Sequence, residues 1–534
     1  MLALVGPSGA GKSTVLDILA LRKSTGILKG QVLMNGKPCG QKFKHVQAYV
    51  PQEDIFVPTL SALETLGYHA RLRLARTATW SEMEGRAFEV GGILAGGISV
   101  RGLSGGEKRR LTIACALIAN PSIIFLDEPT TGLDSFAALN IMEHMSLLAT
   151  LGHTIVATIH QPRAAIWSMF HKVTLLSEGC MVYFGPPEKA VAWFTVLGFS
   201  YEQWRDGAAS DWLIDLVSVS FQKPEPGPGE KTMATVEDVK EAAEQFQAAH
   251  SETLPAVDSG LLGSREHKPL LKLSLTANYP SNWFTQVGVL FKRSLLAQMR
   301  NPTDASSRLL LSVWVGILAG LVFFNLGDSA TDTFQRLGVI FFMLLLFELL
   351  PFCYMSFYVA DRKFYAADVA SKLYHPSAYY VATMAAAFPF IVLNTVLGAL
   401  TMYGLSGLRY QGHALVLFAV ILVIQSLVAI QLLTFCVWLT PNQDLAYVLA
   451  TGYVAASILV SGFFIRLHDL KVAPMYWISF LSYPRYAVSG TAQLELTGVL
   501  FYPASAAIGI LLAFYFILHV MSYLALSKLY KQKR

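Results

Sequence analysis

Three short stretches carry residues that could handle phosphate chemistry. Gly6-Pro7-Ser8-Gly9-Ala10-Gly11-Lys12-Ser13-Thr14 fits the phosphate-loop pattern G-x-x-x-x-G-K-[ST]. Its glycines let backbone N–H groups approach phosphate oxygens, and the helix that follows adds its positive N-terminus. Lys12 can reach the β- and γ-phosphates, and Ser13 can ligate Mg2+. Asp127-Glu128 ends the apolar run Ile123-Ile124-Phe125-Leu126. There Asp127 would hold the Mg2+ shell and Glu128 would polarise an attacking water; phosphoryl transfer asks a protein mainly for such positioning and charge compensation. Between them lies Leu103-Ser104-Gly105-Gly106-Glu107. Average residue usage gives that pentapeptide by chance in about one chain of this length in a thousand, so its place between two phosphate motifs points to one machine. A glycine pair ahead of the basic stretch Lys108-Arg109-Arg110 also reads, by itself, as an anion clamp at a helix N-terminus.

These groups need elements to hold them. Leu2 to Val5 reads as a short apolar strand leading into the phosphate loop, with an apolar helix from Val15. Ile123–Leu126 and Thr154–Ile159 read as buried parallel strands, the second presenting His160 at its carboxyl end. Ligands of open parallel sheets bind at that end. A strand-end histidine is more often structural than functional, but this one falls where a γ-phosphate sensor belongs. The expected fold of the first part is an α/β phosphate-loop ATPase domain.

Together these pieces resemble the nucleotide-binding domain of an ABC transporter. The resemblance implies a head-to-tail dimer in which the phosphate loop of one domain and the LSGGE signature of the other clamp one ATP. It implies that Gln52, in Tyr49-Val50-Pro51-Gln52, is the Q-loop glutamine coupling the γ-phosphate and Mg2+ to a membrane domain. Ser104, Gly105 and Gly106 would close over the partner's ATP, Gly132-Leu133-Asp134-Ser135 would be the D-loop, and His160 the switch histidine. The expected catalytic groups are therefore Glu128, His160 and Gln52. The nucleotide would be held by the loop from Gly6 to Thr14 with Ser104, Gly105, Gly106 and Asp134, and Mg2+ by Ser13, Gln52 and Asp127. The chain begins at the strand feeding the phosphate loop, so the family's upstream strands and adenine-stacking aromatic fall outside it, and the domain is expected to be N-terminally incomplete. The insert between Gln52 and Ser104 is short, with Gly91-Gly92 and Gly96-Gly97 where the family has more helix.

Composition demands a second domain. The 534 residues are 54% hydrophobic and only 14% charged, which exceeds one ordinary core and is unusual for a soluble protein. A net charge of +5 is small for this length, leaves no nucleic-acid footprint, and suits basic residues that flank a membrane. The five cysteines show no metal or disulfide spacing. The expected domains are a nucleotide domain over 1–220, a linker over 221–280, an interfacial connecting helix over 281–304 and an all-α transmembrane domain over 305–534. Lys223-Pro224-Glu225-Pro226-Gly227-Pro228-Gly229-Glu230 reads as exposed linker, and Val236 to His250 as a solvated surface helix. Trp283, Phe284, Val287, Leu290, Phe291 and Leu295 recur near helical spacing, as in a helix lying at the membrane interface. Six runs are long enough to span lipid: near Ser306–Leu326, Leu337–Val359, Pro376–Leu405, Ala414–Leu439, Leu445–Phe464 and Ala506–Leu526. An even number puts both termini on one side, which the nucleotide domain makes the cytosol, consistent with Lys528, Lys531, Lys533 and Arg534, although Arg466, Lys471 and Arg485 in the last loop run against the positive-inside tendency.

A nucleotide domain ahead of six spans resembles the G subfamily of ABC transporters, the white/brown-complex half-transporters. Thr158-Ile159-His160-Gln161-Pro162, Arg300-Asn301-Pro302, Asp361-Arg362-x-x-Tyr365-x-x-Asp368, Ser461-Gly462-Phe463-Phe464-Ile465 and Glu495 before Gly498 carry that likeness. The family's long cysteine-bearing external loop is nearly absent after Gly498, so no disulfide cap is expected. The resemblance implies an apolar plug at Phe463 and Phe464; from the residues alone, such a pair is more often packing. Glu348, inside the second run, either serves function or pairs with another helix. The expectation is a half-transporter working as a homo- or heterodimer with a second subunit, using ATP and Mg2+. It would export a hydrophobic or amphipathic lipid-like compound, with the plasma membrane the first guess. The rival expectations are a poorly hydrolysing regulatory or partner subunit and an ATP-gated channel.

Overall fold

Short apolar strands build the first half. β1 (Leu2–Val5), β4 (Gln47–Val50), β5 (Ile123–Leu126), β6 (Thr154–Ile159), β7 (Lys172–Ser177) and β8 (Cys180–Gly185) form one sheet of order β4-β5-β6-β1-β7-β8, while β2 (Leu33–Met34) and β3 (Lys37–Pro38) pair separately. All neighbours in the large sheet are parallel except β7 and β8. The computed structural model describes residues 1–23, 26–39, 43–74, 79, 82, 85, 102–202, 207–219, 235–250, 279–327, 329–408, 412–465, 473–495 and 503–532. Gly91-Gly92, Gly96-Gly97, the Lys223–Glu230 stretch, Arg466, Lys471 and Gly498 lie outside them. Two units emerge, Met1–Asn282 and Trp283–Lys533.

In the first unit the helices used below are α1 (Lys12–Leu19), α2 (Ala62–Leu74), α3 (Gly105–Leu117), α4 (Ser135–Thr150) and α5 (Val236–His250). Successive strand residues point to opposite faces. Val5, Leu126, Ile155 and Ala157 join a core with Met142 and Met145 of α4, while Leu4, Phe125 and Val156 pack with Leu16 of α1. Both faces are covered, which is why the strands read as unbroken apolar runs. The register sets Val5 opposite Ile159, Val50 opposite Leu126 and Leu126 opposite Ala157. Hence Gly6, Gln52, Asp127-Glu128 and His160 leave the sheet from one edge.

The helix expected to be solvated is solvated on one face only. Val239, Ala242, Ala243 and Phe246 of α5 are buried, and Phe246 meets the rings of Tyr183 and Trp193 at 5.9 and 5.4 Å. Their i, i+3, i+4, i+7 spacing makes one apolar stripe, and fully burying Val239 and Phe246 contributes about 1.5–3 kcal/mol each.

The second unit is helical: α6 (Trp283–Met299), α7 (Pro302–Val322), α8 (Ala330–Leu349), α9 (Met355–Ala370), α10 (Pro376–Ser406), α11 (Gly412–Leu439), α12 (Gln443–Leu459), α13 (Tyr483–Glu495) and α14 (Ala504–Gln532). Among the described residues four segments are long and apolar enough to cross a membrane: Asp332–Ala370, Pro376–Ser406, Gly412–Leu439 and Ala504–Lys528. The first includes a 3-10 turn, Leu350–Tyr354, between α8 and α9. Ser306–Val322 is apolar but shorter. Backbones approach closely between α7 and α10, where a Cβ added at Gly316 would lie 2.9 Å from the carbonyl oxygen of Gly398. Small residues permit such contacts between apolar helices.

Charged groups in this unit sit differently from their sequence appearance. Trp283 and Phe284 of α6 are exposed, whereas its buried face includes Gln286 and Arg293. Those polar groups are buried because they have partners: Arg293 Nη1 donates to Asp368 at 2.7 Å, and Gln286 accepts from the His375 N–H at 2.9 Å. Arg485, read as a loop charge, is buried in α13, donating to Ser479 Oγ at 2.6 Å and lying 4.2 Å from the Phe480 ring centroid. Glu348 pairs across helices: 1% exposed, it accepts from Ser457 Oγ of α12 at 3.2 Å. Phe463 stacks on Phe341 at 4.0 Å, and Phe464 is exposed.

Candidate nucleotide site

The phosphate loop is shaped by steric demand before any ligand arrives. A Cβ on Gly6 would lie 2.0 Å from the Leu176 carbonyl oxygen of β7, so no side chain fits where the loop leaves β1. Gly11 caps α1 at φ 92, in the left-handed region. Lys12 is buried and donates Nζ to the carbonyls of Gly6 and Pro7, both at 2.8 Å. Burial pushes its pKa below the usual lysine value, with Glu128 and Asp127 opposing. Pro7 is half-buried, Ala10 is buried, and Ser8, Gly9, Ser13 and Thr14 face solvent.

Three hydroxyls converge on Asp127. Ser13 Oγ and Thr158 Oγ1 donate to Asp127 Oδ1 at 2.9 and 2.8 Å, and Tyr49 donates to Oδ2 at 3.1 Å. The register explains Thr158: it lies one residue beyond Ala157, the partner of Leu126, and so beside Asp127. Burial and the Asp127 charge push the Tyr49 phenol up, keeping it a donor. Glu128 takes φ 45, a left-handed backbone that a non-glycine residue adopts at a cost. Its N–H donates to Thr158 Oγ1 at 2.8 Å, and its carboxylate accepts from Gln52 Nε2 at 2.6 Å and Thr131 Oγ1 at 3.1 Å. Half-buried His160 follows β6, and its ring makes no hydrogen bond among the described residues. Ser13 and Asp127 bring hard oxygen donors within hydrogen-bond reach of each other, a set that suits Mg2+ completed by phosphate and water.

The signature forms a second cluster. Ser104 caps α3: its Oγ accepts from the Glu107 N–H at 3.3 Å, while its own N–H and hydroxyl donate to the Glu107 carboxylate at 2.8 and 2.9 Å. Those bonds hold the Glu107 carboxyl below its usual range. Gly105 and Gly106 pack beside the D-loop, since Cβ atoms there would lie 3.8 Å from Gly132 O and 3.2 Å from Ala137 Cβ. Asp134 caps α4 through its 2.7 Å bond from the Ala137 N–H. Tyr49, Thr131 and Thr158 have site contacts that motif reading did not assign. Arg109 lies in a basic run yet is 2% exposed.

A mostly parallel sheet bearing a phosphate loop, an acidic pair and a capped LSGGE helix, followed in the same chain by long apolar helices, defines an ATP-binding cassette joined to a membrane domain. The family model described as ABC transporter matches residues 1–131, and that described as ABC-2 type transporter matches 285–496. ABC transporter G family member 22 of Dictyostelium discoideum is 32% identical over 93% of this chain and 81% of its own length. Member 12 from the same organism is 31% identical over 100% and 87%. A Bos taurus protein named as a broad substrate specificity ATP-binding cassette transporter is 28% identical over 94% and 79%. The chain belongs to the G subfamily of ABC transporters, whose half-transporters couple ATP hydrolysis to transmembrane transport.

Proposed function

We propose that the chain works as a half-transporter in a head-to-tail dimer and exports a hydrophobic or amphipathic, lipid-like compound. The observation that carries the reading is the organisation of the sheet edge: three hydroxyls on Asp127, and Gln52 on Glu128. Lys12 would turn from its own loop carbonyls to the β- and γ-phosphates, with the backbone N–H groups from Gly6 to Thr14 around them. Ser13, Asp127 and Gln52 would hold Mg2+, which supplies charge compensation when bound. Glu128, oriented by Gln52 and Thr131, accepts the proton of the attacking water, and His160, half-buried at the end of β6, senses the γ-phosphate. Ser104, Gly105, Gly106 and Asp134 serve the partner's nucleotide.

The membrane part is read as six spans: the four long segments together with α7 and α12. Both termini are then cytosolic, and the plasma membrane is the setting. The apolar helices, poor in ionisable groups, favour an amphipathic substrate over an ion or sugar. ATP hydrolysis by the purified chain in lipid tests the reading. Glu128→Gln is expected to bind ATP and abolish turnover. Ser104→Arg is expected to block turnover with ATP binding retained; normal hydrolysis in that variant would remove the head-to-tail clamp.

A further inference from the structure

Arg109 lies in the second turn of α3, three residues past Gly106. It is among the largest fully buried side chains of the protein. Its Nη1 donates to the carbonyl oxygens of Pro51 and Gln52, the latter at 3.1 Å, and to Asp54 Oδ1 at 3.2 Å. Its Nη2 donates to the carbonyl oxygen of Asp127 at 2.7 Å. Thr112, nearly one turn further along α3, donates to the same Asp54 oxygen at 2.6 Å. One guanidinium therefore joins three segments: the Gln52 loop, the carboxyl end of β5 and the helix whose N-terminus is the signature.

Asp54 alone would satisfy the need to neutralise a buried arginine. The other acceptors are backbone carbonyls, two of them belonging to Gln52 and Asp127, whose side chains work at the nucleotide. A guanidinium is planar, and its donors diverge at fixed angles. A displacement of the Gln52 or Asp127 backbone is therefore passed to α3, and with it to Ser104, Gly105 and Gly106. We propose that Arg109 is a positioning residue that ties the nucleotide state of one site to the signature serving the other. This rests on the clamp reading above. The ammonium of a lysine is a point donor on a flexible stem and cannot span Gln52 O and Asp127 O together, so Arg109→Lys keeps the charge and loses the link.

The test compares wild type, Arg109→Lys and Ser104→Arg in lipid, with ATP binding measured in the Glu128→Gln background. Arg109→Lys is expected to bind ATP within about threefold of its parent while kcat falls about tenfold or more, the loss of one to two charge-assisted bonds at the transition state. The Hill coefficient for ATP is expected to fall from above 1 to 1. Asp54→Asn, which loosens the guanidinium without removing it, is expected to lie between, and it carries the test if Arg109→Lys does not fold. Wild-type kcat with unchanged cooperativity in Arg109→Lys overturns the proposal, as does a parallel loss of ATP binding and turnover, which marks a purely structural role. An inactive Ser104→Arg beside a normal Arg109→Lys sinks this proposal alone; a normal Ser104→Arg sinks the clamp on which it rests.

Discussion

Replacing Thr158 with valine removes one hydroxyl from a fully buried position and changes little else in volume. That hydroxyl accepts the N–H of Glu128 and donates to Asp127 Oδ1, both at 2.8 Å. Without it the Glu128 N–H has lost its acceptor, and among the described residues Asp127 keeps the hydroxyls of Ser13 and Tyr49. Leaving that N–H unpaired costs about 1–3 kcal/mol. The loss falls on a residue whose left-handed backbone already costs about 1–3 kcal/mol and needs its surroundings to hold it there. If about 2 kcal/mol of this is felt in the transition state, kcat drops about thirtyfold. The affinity for ATP changes little, because the phosphate loop makes no bond to Thr158. Steady-state hydrolysis in lipid, with ATP binding measured separately, reads the two effects apart, and Thr158→Ser, which keeps the hydroxyl, should stay within about threefold. A Thr158→Val protein with kcat within twofold of wild type, on this scale of estimate, would refute the claim that the hydroxyl positions Glu128.

Three further outcomes follow from the geometry. Gly6→Ala places a Cβ against the Leu176 backbone, so the loop must shift; nucleotide affinity is expected to fall about tenfold or more, at about 1–3 kcal/mol of overpacking, as read by ATP titration. Phe246→Ala empties the contact between α5 and the rings of Tyr183 and Trp193 and should cost about 3–5 kcal/mol, measured by denaturant unfolding of the nucleotide domain in the intact chain. Glu495 accepts from Tyr403 at 3.0 Å and lies 3.6 Å from Arg336, both charges being buried. Glu495→Ala should destabilise the membrane unit by about 3–5 kcal/mol; thermal melting should then show recovery when Arg336→Met is added, since the stranded charge is gone.

The parts of the site that were legible in sequence are those whose geometry is local. Gly6 to Thr14 encodes its turn within nine residues, and Ser104 to Glu107 encodes its own helix cap. Thr158 and Tyr49 gave no such signal, because strand register, and not neighbouring sequence, brings them to Asp127. Arg109 looked like one charge in a basic run; only acceptors more than fifty residues upstream and eighteen downstream show why it is buried. The apolar stripe of α5 was present in the sequence, but the Glu and Lys residues on its other face masked it. In the membrane unit the apolar runs were legible from length alone, whereas the burial of Arg293, Glu348 and Arg485 depends on partners supplied by other helices.

The cap at Ser104 bears on how a turnover ends. The helix end that would receive a γ-phosphate is already occupied by an anion, the Glu107 carboxylate, held by the serine N–H and hydroxyl. In the clamp proposed above, a phosphate oxygen would compete with the Glu107 carboxylate for the Ser104 donors. The net attraction is the difference between two interactions of similar kind. Without a phosphate those donors are already satisfied, because the Glu107 carboxylate accepts from both. Opening the proposed clamp would therefore leave neither Ser104 donor without an acceptor.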